Sequence, residues 1–69
     1  METIAQYDRV LVRAGKYTSS GGLGVLEVDV QGCVVDIYGK QEAFEVDVGT
    51  SPDDWETISV KREDIIKKM

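Results

Sequence analysis

Two runs of β-forming residues separated by a short polar turn constrain this chain more than anything else in it. Gly32-Cys33-Val34-Val35-Asp36-Ile37-Tyr38-Gly39 is answered within a few residues by Glu42-Ala43-Phe44-Glu45-Val46-Asp47-Val48. The second run alternates Phe44, Val46 and Val48 with Glu45 and Asp47, so in an extended strand one side meets a core and the other meets water. No comparable segment carries a helical period. The two runs therefore read as one tight hairpin, and the chain as all-β.

With 69 residues there is room for a single domain, 1–69, whose core is small. A chain of this length buries only roughly 60% of the surface its unfolded form exposes, so a partner or self-association as a homo-oligomer would add useful stability. Cys33 is the only cysteine. It cannot close an intrachain disulfide, which favours a reducing, cytoplasmic setting. Residues 1–6 lack a basic region followed by an apolar run, and no stretch approaches the roughly 18 apolar residues of a membrane helix, so the expectation is a soluble protein with no membrane partner.

The rest of the chain yields further extended segments. Asp8 to Ala14 places Val10, Val12 and Ala14 on one side and Arg9, Leu11 and Arg13 on the other. Gly15 to Gly24 holds four glycines and three hydroxyl residues without periodicity and reads as a flexible loop. Val25 to Val30 is either a short extended connector or a true strand. After the hairpin, Gly49-Thr50-Ser51-Pro52-Asp53-Asp54 is a turn cluster, Trp55 to Val60 a strand, Lys61 to Asp64 a single helical turn, and Ile65 to Lys67 a closing strand. The expected core is Val10, Val12, Val34, Ile37, Phe44, Val46, Val48, Ile58, Val60 and Ile65.

This order resembles a small SH3-like five-stranded antiparallel barrel with a single helical turn before the last strand. The hairpin sequences are also similar to those of a small bacterial family of unknown function, whose members read G-T-V-V-E-V-Y and then E-A-Y-E-V-E-F. The likeness extends to Asp8–Val12 and to Ile58–Ile65, and departs between Gly15 and Val30, where this chain is longer and richer in glycine. The spacing of Gly32, Val34 and Ile37 resembles the KOW motif of ribosome- and polymerase-associated proteins at three positions. Strict alternation back from Ile37 buries Val35 and Cys33. The KOW-like spacing instead buries Val34 with Ile37 and implies a bulge, which is preferred because strands of a small barrel must bend to close.

Catalytic and metal chemistry find little purchase. Histidine is absent, which removes the commonest general base near neutral pH and the commonest zinc ligand. Cys33 has no neighbouring group in the sequence to activate it as a nucleophile. Gly15-Lys16 followed by Thr18 lacks the glycine and the adjoining hydroxyl of a phosphate loop. Asp47, Asp53, Asp54 and Glu56 match no known cation-binding spacing. No enzyme activity, cofactor or metal is expected.

Charge and aromatic placement point instead to binding. The net charge is -5, and from Glu27 to Glu56 nine acids face one base, Lys40. Such a surface repels a phosphate backbone, so a nucleic-acid partner is disfavoured despite Arg9, Arg13, Lys61, Arg62, Lys67 and Lys68. Trp55 directly follows Asp53-Asp54; it either plugs one end of a barrel, the slightly favoured placement, or stands at the rim beside those acids. Tyr17 and Tyr38 are expected to be exposed beside it. The resulting expectation is a non-catalytic interaction module or small subunit that meets a basic protein partner through Trp55, Asp53, Asp54, Tyr17 and Tyr38. The alternatives are a toxin- or nuclease-neutralising protein and a KOW-like nucleic-acid-associated protein.

Overall fold

The computed structural model describes residues 3–19, 22–51 and 54–69. These form strands β1 (Arg9–Val12), β2 (Gly15–Ser19), β3 (Gly22–Leu26), β4 (Val30–Tyr38), β5 (Ala43–Ser51), β6 (Asp54–Lys61) and β7 (Ile65–Lys68), with one 3-10 turn at Arg62–Asp64. The strands make a single antiparallel sheet in the order β3-β2-β6-β5-β4-β1-β7. One core cluster draws residues from every strand: Val10 and Val12, Tyr17, Leu26, Val34, the trio Phe44, Val46 and Val48, then Ile58, Val60 and Ile65. A single sheet can converge on one core only by bending around it.

Seven strands stand where five were expected, and the difference lies in the segment read as a flexible loop. Residues 15–19 and 22–26 form an antiparallel hairpin in which Gly15 faces Leu26 and Ser19 faces Gly22. The alternation exists but is hidden by glycine. Gly24 occupies a buried position where a Cβ would stand 3.1 Å from Ile58 Cγ2, so the inward site that would have shown an apolar side chain holds none. Tyr17 is likewise corrected from exposed to buried, at 7% relative exposure. Its hydroxyl donates to the Arg13 carbonyl at 2.5 Å, which satisfies the one polar atom the ring carries inward.

The bulge in β4 is present. Pairing with β5 shifts between Val34 and Asp36, so Val34 is fully buried, and Ile37 packs half-buried at the edge of the core. A bulge leaves a residue of the strand unpaired, here Val35, whose carbonyl accepts from Gln6 Nε2 at 2.9 Å. The N-terminal segment also continues the β1 side of β4, where Tyr7 N–H donates to the Val34 carbonyl at 2.6 Å and Val34 N–H to the Asp8 carbonyl at 2.9 Å. The same segment buries Ile4, a core residue that no strand periodicity announces. Gln41, in the β4–β5 turn, holds it by a reciprocal pair, accepting from Ile4 N–H at 2.7 Å and donating to the Ile4 carbonyl at 2.9 Å. Among the described residues no helix is long and apolar enough to cross a membrane.

Candidate functional site

The outer face of the β1-β4-β5-β6 part of the sheet follows from the core by alternation. With Phe44, Val46 and Val48 inward, Glu45, Asp47 and Gly49 point outward, and register sets Asp47 between Cys33 and Thr57, and Gly49 beside Trp55. Arg9 lies across from Cys33, and Asp36 across from Glu45. The face therefore runs from Trp55 and Gly49, through Asp47, to Glu45 and Asp36, and ends at Tyr38 opposite Ala43. Six residues of β5 separate its ends, about 20 Å.

Trp55 does not plug an end of the core. It is 70% exposed and lies over Gly49, where a Cβ would sit 3.4 Å from its ring. The absence of a side chain at Gly49 lets the indole lie close to the strand. Beside it opens a shallow groove of about 260 Å³ lined by Arg9, Gln31, Gly32, Cys33, Asp47, Gly49 and Trp55. Asp47 is held in the groove wall by the Thr57 hydroxyl, which donates to its Oδ1. Cys33 is half-buried, its Sγ 3.7 Å from the Tyr7 carbonyl.

At the far end Tyr38 is exposed, as expected. Hydrogen bonding to Glu45 raises the pKa of its phenol, with burial, the Glu45 charge and Asp36 adding to the effect. The carboxylates of Glu45 and Asp36 thus both act on one hydroxyl, and the Asp36 carboxylate itself accepts from Ile37 N–H at 2.8 Å. Glu56 leaves this surface. It faces the Gly24 side of the sheet, where a Cβ on Gly24 would lie 3.4 Å from its Oε2, so Asp47 and Glu56 point to opposite faces and share no ion.

Of the five residues expected at the site, the structure brings Trp55 and Tyr38 onto one face and places Tyr17 in the core. Asp53 lies outside the described residues, and Asp54 is placed by its backbone alone, opposite Ser51. Asp36, Glu45 and Asp47 complete the face. The outward alternation of Glu45 and Asp47 with Phe44 and Val46 was the signal that could have assigned those two, whereas Asp36 joins them through its register with Glu45 beyond the bulge. Comparison with protein-family models, curated proteins and solved structures gives no match.

Proposed function

We propose that the chain is a non-catalytic interaction module on an SH3-like barrel, and that it meets a basic protein partner through the outer face between Trp55 and Tyr38. Three features support the barrel: a sheet bent around one core, a hairpin inserted in the connection from β1 to β4, and a 3-10 turn before the last strand. The exposed Trp55, on the same face as Asp47, Glu45 and Asp36, carries the binding reading. A large ring left 70% in water has no structural return, whereas desolvating it against a partner stabilises a complex strongly, as aromatic anchors do. The acids along the face speed encounter with a positively charged surface.

Affinity purification from the native cell tests this with two baits, the wild-type chain and the variant Asp36→Lys with Glu45→Lys. The expected result is a protein of basic character that the wild type retains and the variant loses. A partner held equally by both baits, or one that is acidic, overturns the reading.

A further inference from the structure

We infer that the free edge of β3 pairs antiparallel with the same edge of a second copy of this chain, joining two sheets into one across a two-fold axis at Gly24. The strand order ends at β3 on one side and at β7 on the other. In an antiparallel pair only alternate residues spend their N–H and C=O on the neighbouring strand, so half of the β3 backbone groups point away from β2. Among the described residues, no backbone hydrogen bond outside the β2 ladder reaches them.

The two edges are guarded differently. β7 carries Lys67 and Lys68, both exposed, and Lys68 is tied to Asp8 at 3.1 Å. Lysines on an edge keep other strands away, because pairing there would strip water from their ammonium groups. β3 reads Gly22-Leu23-Gly24-Val25-Leu26, without a charge or a proline. Its register with β2 is unbroken over all five residues, so no bulge turns the edge aside, and Val25 stands 57% exposed. None of the usual protections of an edge is present on this strand.

A second copy suits this edge better than the basic partner of the outer face, since a neutral apolar strand offers a cation nothing. Pairing about Gly24 sets Gly22 opposite Leu26 and Leu23 opposite Val25 of the other copy, so no position of the ladder brings two charges together. One acid reaches the axis. Glu56 lies against Gly24 on the inner side, where a Cβ would stand 3.4 Å from its Oε2, so the two Glu56 side chains flank the joined glycines and repel. The acids of β5 are remote: seven strand spacings, about 34 Å along the joined sheet, separate them from their counterparts, against a Debye length of about 8 Å at physiological salt. Salt therefore favours the dimer by screening Glu56. Pairing β3 with β7 of another copy would lay lysines against an apolar edge and propagate without end, whereas the two-fold arrangement closes. Five paired positions make an interface well below the roughly 1,200 Å² of a standard complex, so the dimer is a weak one, monomeric at about 10 μM and largely formed by about 1 mM.

Sedimentation equilibrium of the chain between about 10 μM and 1 mM tests the inference, with a dimer fraction expected to rise with concentration and with added salt. Val25→Lys sets two ammonium groups about 7 Å apart across the axis and should weaken association at least about 10-fold, with an unchanged circular dichroism spectrum. Ile66→Lys on β7 and Trp55→Ala on the outer face should leave the dimer intact, so this surface and the partner-binding face can fail separately. A cross-link reads the register directly. In a Cys33→Ser background, an equal mixture of Leu23→Cys and Val25→Cys chains exposed to oxidised glutathione should form the mixed disulfide faster than either chain links to itself, because residues 23 and 25 stand opposite one another. A chain that stays monomeric at about 1 mM overturns the inference, whether the edge then takes a strand of another protein or only water. So does a dimer that Ile66→Lys or Trp55→Ala disrupts while Val25→Lys does not, or a cross-link with no preference for the mixed pair.

Discussion

Gly32→Ala should destabilise the fold sharply, whereas Gly49→Ala, one strand away on the opposite face, should not. Gly32 is buried on the inner side of β4, paired with Val48. A methyl there would overlap Val46 Cγ1 and stand 2.9 Å from the Asp47 carbonyl oxygen and 3.0 Å from Val48 Cγ1. Neither valine can yield easily, because both are almost fully buried, and the carbonyl belongs to the β5 ladder. Overpacking of this kind costs about 1–3 kcal/mol, while the reduced freedom of the unfolded alanine chain returns about 0.4–1 kcal/mol. The expected net loss is about 1–2 kcal/mol, or roughly 5–15 °C in Tm for a domain this small. At Gly49 a Cβ meets only the Trp55 ring at 3.4 Å, an ordinary contact with a side chain free to move. The expected change there is within about 0.5 kcal/mol. Thermal and urea unfolding followed by circular dichroism measure both. The double variant with Val46→Ala supplies the internal check, since making room at Val46 should cost less in the Gly32→Ala background than in the wild type. A Gly32→Ala chain as stable as the wild type, or additive effects in the double variant, would refute the packing argument.

Tyr17→Phe should cost about 1 kcal/mol in unfolding experiments at pH 7 by removing the hydrogen bond to the Arg13 carbonyl. Burial, followed by the charge of Asp64, raises the Tyr17 pKa above its ordinary 10.0, so its contribution is intact below about pH 10 and lost as pH rises through the folded-state value; the alkaline limb of a stability–pH curve should flatten in the phenylalanine variant. Asp8 behaves in the opposite sense. The Ala5 N–H and then Lys68, 3.1 Å away, hold its pKa below 3.8, so it stabilises the fold above that value and ceases to as pH falls through the lower folded-state value, and Asp8→Asn should remove that part of the acid transition. Spectrophotometric titration of Tyr38 should show a phenol shifted up in the wild type and returned toward 10.0 in Glu45→Gln; an unchanged titration would mean that the two side chains do not meet in solution. Trp55→Ala should leave the melting profile nearly unchanged and yet weaken partner binding by about 2 kcal/mol, whereas unfolding of the variant would assign the ring a structural role.

Local pattern was enough wherever successive residues alternate between core and water. Phe44, Val46 and Val48 against Glu45 and Asp47 declare both the strand and its inward face, and the spacing of Gly32, Val34 and Ile37 declares a bulge, because a strand that must bend cannot keep strict alternation. Pattern fails where the inward residue is glycine. Gly24 is buried against Ile58 with no side chain to reveal it, so β2 and β3 read as a loop, and Tyr17 with them. It fails again for Ile4, which is held in place by Gln41, a residue 37 positions away. Trp55 is the sharpest case. Its type and its place beside two acids suit both a plug and a rim, and only the pairing of Gly49 with Trp55 on the outer side of β5 and β6 decides that the ring stands in water. Alternation is a property of neighbours in sequence and is legible there, whereas the partner of an exposed ring, a turn or a terminal segment is chosen by strand register, which brings together residues that the chain keeps far apart.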